Sequence, residues 1–256
     1  YKGLAIARDG SQIAFLTDAA DYDADEPAWL AFHWRAGADE AEPIDGAPEG
    51  WRLSGRRNPS FSKAGSRVIV GLERVPEDEE EDEDESANDG EDVETADGDD
   101  AEEEEDEKVV LDIWHWKDDR LQPQQLLQAK RDRERTYRAV WHTTERTLVP
   151  LEDETLPLVT IGRHGDGDVA LGISDLPYRA RLSWDVPGYR DVYLVDPATG
   201  ERTLVLEKLR ARPTLSPEEK YLTWFDGEAR AWMAYGIERG MTVDLTEMLP
   251  HAVHDE

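Results

Sequence analysis

The 256-residue chain has no cysteine, which excludes disulfides, thiolate metal sites, iron–sulfur clusters and a cysteine nucleophile. No uninterrupted apolar run approaches the roughly 18 residues of a membrane span, and no signal-peptide pattern opens the sequence. Beginning at Tyr1 and stopping at Glu256 just after an acidic turn, it reads as a piece cut from a longer protein. Positive charge is scarce: 29 Lys and Arg stand against 60 Asp and Glu, a formal net charge of -31. A chain of that sign does not cover a phosphate backbone by general electrostatics, and no basic patch in the sequence is dense enough to reverse this, so nucleic acid is not expected as a partner.

The negative charge is concentrated. Residues 77–107 hold 22 carboxylates and no Lys or Arg, and the other 225 residues carry only -9. Such a segment cannot bury enough apolar surface to offset its ordering entropy, so a disordered, solvated insertion is expected there. Capture of calcium or of a basic partner is the other use open to it. Strand-like pieces at 68–72 and 109–114 bound it.

Helical periodicity is scarce as well. Helical turns fit only 122–133 and 245–249; elsewhere short runs of Trp, Tyr, Phe, Val, Ile and Leu alternate with Gly, Pro, Asp and Thr-Gly turns, the all-β pattern. The clearest hairpin turn, Asp196-Pro197-Ala198-Thr199-Gly200, joins 189–195 to 203–206. A turn followed by an apolar strand recurs from Ala7, Ser62, His142 and Ser216, and a second hairpin element lies between copies at 29–34, 112–116, 191–195 and 232–237. With the acidic segment set aside, the period is about fifty residues, the size of a four-stranded propeller blade. The expected fold is therefore all-β: an incomplete β-propeller of about four antiparallel four-stranded sheets over residues 1–256, interrupted by 77–107.

Few residues suggest chemistry. His115 between Trp114 and Trp116 should face away from both, as a surface or channel-lining group, and His142 falls in a turn. His251 and His254 are too few for zinc, which needs three or four convergent ligands. Gly165-Asp166-Gly167-Asp168 and Asp97-Gly98-Asp99-Asp100 lack the spaced ligands of a calcium loop, so the first is expected as a plain turn and the second as disorder. No metal and no cofactor is expected. Trp29, Trp34, Trp114, Trp116, Trp224 and Trp232 are expected to fill space between blades, whereas Trp51 and Trp184, beside Arg52 and Arg181, are candidates for a peptide-contacting rim. Arg56, Arg57, Arg131, Arg133 and Arg135 read as solvated or paired with nearby carboxylates.

Several phrases carry a resemblance. Asp112-Ile113-Trp114-His115-Trp116-Lys117-Asp118 with Leu121-Gln122-Pro123-Gln124-Gln125, then Arg135-Thr136-Tyr137-Arg138, Ser174-Asp175-Leu176-Pro177-Tyr178 and 189–196, stand in order. Together they resemble the N-terminal propeller of large bacterial members of the prolyl oligopeptidase family, over about 111–249. That resemblance implies a serine peptidase whose seven- or eight-bladed propeller covers an α/β-hydrolase domain, a peptide substrate reached through that domain, and a periplasmic or secreted setting. It carries over no catalytic residue, because Ser, Asp and His of the family lie in the hydrolase domain. No G-x-S-x-G occurs in this chain, and Gly172-Ile173-Ser174-Asp175-Leu176 lacks the second Gly of a nucleophile elbow. The expected role is a substrate-gating propeller without its own triad. A non-enzymatic propeller acting as a protein-binding scaffold is the alternative, and an acidic module capturing calcium or a basic protein is a third.

Overall fold

A computed structural model describes residues 1–19, 27–75, 118, 120, 122–182 and 185–249. The chain divides into two units, Tyr1–Val75 with Asp119–Glu256, and Pro76–Asp118. The acidic run, the 112–117 phrase with His115, Trp184, His251 and His254 all lie outside the described residues.

In the first unit four sheets follow one another along the chain. The first contains β1 (Lys2–Ile6), β2 (Gln12–Thr17), β3 (Leu30–Arg35) and β4 (Glu42–Ile44). The second contains β5 (Trp51–Leu53) and β6 (Ser60–Phe61), which share one side of β7 (Arg67–Arg74), followed by β8 (Tyr137–His142) and β9 (Thr147–Pro150). The third runs β10 (Leu158–Ile161), β11 (Ala170–Ser174), β12 (Arg190–Val195) and β13 (Arg202–Leu209), and the fourth β14 (Thr214–Leu215), β15 (Tyr221–Asp226), β16 (Ala231–Gly236) and β17 (Met241–Asp244). Every pairing is antiparallel. Four successive antiparallel sheets, three of four strands and one of five because its first position is split between β5 and β6, make the architecture an incomplete β-propeller. One helix, α1 (Gln122–Arg133), occupies the expected 122–133 segment; straight-chain Gln, Leu, Lys and Arg favour it, and Lys130, Arg131 and Arg133 in its last turn complement the carbonyl end.

The core lies between sheets. Because side chains alternate along a strand, Val68, Val70 and Leu72 of β7 pack with Ala14, Leu16 and Ala31 of the first sheet, while Ile69 packs with Val159, Ala170 and Val195 of the third. In β11, Ala170 joins that second cluster and Leu171 and Ile173 join Leu222 and Trp224 of the fourth sheet. The second and third sheets are thus buried on both faces, which explains why Val68-Ile69-Val70 and Ala170-Leu171-Gly172-Ile173 are continuous apolar runs. Strand β2 alternates buried and half-buried residues instead, and its Phe15 stacks on Phe32 at 5.7 Å on the outer face.

Turns explain the repeat and correct one copy of it. At Ala7, Ser62 and Ser216 the same two bonds close the first turn of a sheet: the N–H of each donates to the carbonyl five residues on, 2.8 to 2.9 Å, and the N–H three residues on donates back, 2.9 to 3.0 Å. The copy expected at His142 belongs to another class. His142 ends β8, and Arg146 N–H donates to its carbonyl at 2.8 Å, as Gly200 does to Asp196 and Gly240 to Gly236, all closing a third-to-fourth-strand turn. The first turn of the third sheet is the stretch 162–169, so Gly165-Asp166-Gly167-Asp168 does form a turn. Likewise the third strand of the second sheet is β8, not the expected 112–116. The 196–200 hairpin stands as expected, and 245–249 holds only a hydrogen-bonded turn, Leu249 N–H to the Thr246 carbonyl.

These first turns are tied together. Gln12 Nε2 donates to the Gly65 carbonyl at 3.0 Å, the Ala64 N–H donates to Asp166 Oδ2 at 2.9 Å, and Arg67 reaches the carbonyls of Gly165 and Gly167. Glu219 accepts from the N–H of Asp168 at 2.9 Å and of Val169 at 3.3 Å. Glu219 stands where the other turns place Gly10 and Gly65, at φ 58°, and a methyl group on Gly167 would collide with its carboxylate. His33 extends the network: Gln12, fixed by Gly65, presents Oε1 to accept from His33 Nε2 at 2.8 Å, and Nδ1 lies 3.1 Å from Glu42 Oε1.

Trp141, 1% exposed between the first and second sheets, is the largest fully buried side chain among the described residues, and Trp141→Ala should lower unfolding free energy by about 3–5 kcal/mol. Trp232→Ala, at a 45% exposed position on the outer face of the fourth sheet, should lower it by about 1 kcal/mol. Urea denaturation monitored by circular dichroism measures both. Burial holds the His33 imidazole below its ordinary 6.5, against the opposing pull of Glu42. Its contribution is therefore present above pH 6.5 and lost as pH falls below it. Urea midpoints from pH 7.5 to 5 should fall more steeply for the wild type than for His33→Gln.

Candidate functional site

An antiparallel meander sends its first and third connections to one end of the strands and its second to the other. The first end carries short turns, 7–11, 62–66, 162–169 and 216–220. At the opposite end the strands lead into and out of the second connections, which in sequence are long at 18–29, 75–136 and 175–189 and short at 227–230. Loop residues free of ladder pairing are where binding groups collect, so this loop end is the candidate site.

A cleft of about 710 Å³ opens there. Helix α1 supplies Arg131, the segments flanking it Arg120 and Arg135, the break between β5 and β6 Arg57, the start of β8 Arg138, and the 3₁₀ turn Leu176–Arg181 Arg179. Glu152 is buried at its floor. It accepts from the N–H of Arg138 at 2.7 Å and of Val159 at 2.9 Å, and Arg138 Nη1, which also donates to the Val159 carbonyl, is 3.8 Å away. Arg57 Nε donates to Thr136 Oγ1 at 3.1 Å. Burial pushes the Arg57 guanidinium below its ordinary range, the charge of Glu152 opposing that shift and Arg138 adding to it. Arg135 lies over the Tyr137 ring at 5.5 Å and donates to the Pro157 carbonyl at 3.3 Å. Arg120 holds Asp132 at 2.6 Å and Arg179 holds Asp175 at 2.9 Å.

A second hollow of about 500 Å³ lies between the third and fourth sheets at the same end. Tyr189 sits there between Lys208 at 5.0 Å and Arg210 at 4.6 Å, and Arg210 binds Asp185 at 2.6 Å. Nearby, Tyr178 donates to Asp191 at 2.7 Å, and burial together with that carboxylate pushes its phenol up to about 12. Among the described residues of these two hollows no nucleophile is paired with a base.

The structure redistributes the residues singled out from sequence. Trp51, expected at a rim, is a β5 residue packed edge-on to Tyr137 at 5.0 Å and covered by Arg74 at 4.6 Å. Trp224 is buried as expected, Trp34 is half-buried on the outer face of the first sheet, and Trp29 packs against Gly55 beneath the Lys2 ammonium at 4.0 Å. His142 is buried, its Nε2 2.9 Å from the Pro197 carbonyl. Arg56 pairs with Glu73 at 3.3 Å, as expected of the arginine set. Arg131 and Arg133 are exposed, also as expected, and Arg131 lines the cleft together with the half-buried Arg57 and Arg135. Glu152 and His33 have no part in the sequence reading, and Arg138 stands there only within a family phrase; a carboxylate directly after the apolar run 148–151 is the signal that marks Glu152.

No family model matches the chain, and no curated protein does. Solved structures similar to it include the β-propeller domain of the Trilobed protease from Pyrococcus furiosus, 9% identical over 99% of this chain and 60% of that one, TM-score 0.41. An acylaminoacyl peptidase from Pyrococcus horikoshii is 13% identical over 96% of this chain and 32% of that one, TM-score 0.39. TolB from Acinetobacter baumannii is 8% identical over 95% and 43%, TM-score 0.32. The chain thus spans less than two thirds of each of these structures. The propeller assignment stands on the four meanders themselves, and likenesses at this level assign no activity.

Removing the Glu152 carboxylate should strip two buried N–H groups of their acceptor and leave Arg138 and Arg57 uncompensated. Glu152→Ala is expected to destabilise the fold by about 3 kcal/mol, and Glu152→Gln, which keeps one acceptor oxygen, by less. Urea denaturation at pH 7 provides the comparison.

Proposed function

We propose that this chain is the non-catalytic propeller portion of a serine peptidase of the prolyl oligopeptidase type, in which it covers the active site and admits peptide substrates by size. The observation that carries the reading is the asymmetry of the sheets: turns bonded to one another at one end, and the longest connections with a cleft at the other. A rigid wall with one decorated end suits a filter. The ordered phrases from 135–138 to 189–196 add support through their family resemblance. Hydrolysis would be acyl transfer by a Ser activated by His, with backbone donors on the oxyanion, all supplied from outside residues 1–256. The cleft favours a second reading, a binding scaffold with no hydrolase attached.

The full-length parent, treated with a fluorophosphonate probe, should label one serine and should cleave short peptides while sparing folded proteins. A parent that takes no label refutes the peptidase reading. One that labels but digests folded proteins as fast as short peptides refutes the filter.

A further inference from the structure

We propose that the arginine-lined cleft beside α1 is a binding site for an acidic peptide segment. The inference goes beyond the peptidase reading and holds for either reading of the parent.

The cations converge from four separate stretches of chain, yet the carboxylates among them are already engaged. Asp132 is held by Arg120 at 2.6 Å, Glu134 lies 4.0 Å from Lys130, and Glu152 accepts a backbone N–H at each oxygen and lies 3.8 Å from Arg138. Arg57 is half-buried, bonded on one side to the Thr136 hydroxyl, and among the described residues no carboxylate lies within ion-pair distance of it. Arg131, exposed on the last turn of α1, has no such partner among the described residues either. Arg57 and Arg138 thus share one buried carboxylate, Glu152, and the lining holds more guanidinium groups than carboxylates, an excess of positive charge that an incoming carboxylate offsets; the planar fork of Arg matches a carboxylate in two parallel bonds.

Two features select a peptide among anions. The cleft also presents Leu127, 85% exposed, and Leu158, 36% exposed, which give apolar footing to side chains between acidic ones. Its volume of about 710 Å³ falls in the usual range of small-ligand clefts, about 300–1,000 Å³, room for a short extended segment. A nucleic acid strand would instead need a cationic track longer than this cleft, on a chain whose formal charge is -31.

The test uses the intact chain and a fluorescein-labelled Glu-Leu-Glu-Glu-Leu-Glu peptide, read by fluorescence anisotropy, with a Gln-Leu-Gln-Gln-Leu-Gln peptide and a labelled oligothymidylate as comparisons. The acidic peptide should bind, the neutral one and the oligothymidylate should not, and affinity should fall as salt rises. Arg57→Gln and Arg131→Gln should each weaken binding about tenfold, the worth of one charged hydrogen bond. Arg131 is on the solvent side of α1, so its variant keeps the fold even where Arg57→Gln does not, and Arg239→Gln, in the β16–β17 turn at the other end, should bind like wild type. No binding to the acidic peptide, equal loss in the Arg239 variant, wild-type affinity in the Arg131 variant, or preference for the oligothymidylate would each overturn the proposal.

Discussion

The stack depends on bonds between first turns. Gln12 reaches Gly65, Ala64 and Arg67 reach the loop around Asp166, and Glu219 reaches Asp168 and Val169, so each sheet is fixed to the next at one end of its strands. Apolar contact between two sheet faces is non-directional and would tolerate sliding; these bonds are directional and set one alignment. Glu219 shows how strongly the link counts. A left-handed conformation costs a residue with a Cβ about 1–2 kcal/mol, and the turns at Ala7 and Ser62 avoid it with glycine. At the fourth sheet the strain is accepted, and Oε2 of the buried Glu219 carboxylate takes two backbone N–H groups of the third sheet while Oε1 lies 3.8 Å from Arg163.

The architecture was legible where its causes are local. A turn that reverses the chain and a strand that alternates or runs apolar are both written in adjacent residues, which is why the copies at Ala7, Ser62 and Ser216, the 196–200 hairpin and α1 stand where the sequence puts them. The copy at His142 failed because first and third connections use similar chemistry: a tight turn with one left-handed residue, Gly65 in one case and Arg146 in the other. Only the strand's partner tells them apart, and partnership is not local. The same limit hid the pairing of β7 with β8 across the whole of 75–136, since a nearer apolar run at 109–114 offered an equally good pattern.

The site was less legible than the fold. Arg57 and Arg131 are 74 positions apart, and neither differs in the sequence from an arginine held by a neighbouring carboxylate. Arg56, next in line, is such an arginine, bound to Glu73. The two differ in direction alone: β7 folds back so that Arg56 meets the strand's own carboxylate while Arg57 turns to Thr136 beyond the insertion. Trp51 erred in the opposite sense, because a tryptophan between glycine and arginine looks like a loop residue until β5 pairs with the end of β7 and packs it on Tyr137.

Net charge and local charge answer different questions in this chain. The formal -31 bears on solubility and on long-range steering, and it opposes a polyanion approaching from afar. At physiological salt, however, exposed charges act over about 8 Å, so the field inside a cleft is set by the groups that line it. There, Arg57, Arg131 and Arg138 meet Glu152 as the only buried carboxylate, and Glu152 is turned toward backbone N–H groups. That geometry satisfies peptide donors of β8 and β10 and sets one negative charge near Arg138 and Arg57, while the cations of the lining outnumber its carboxylates. A buried acid can therefore hold the wall of a cationic site together through the backbone while its single charge, shared between Arg138 and Arg57, offsets only part of the positive charge around it.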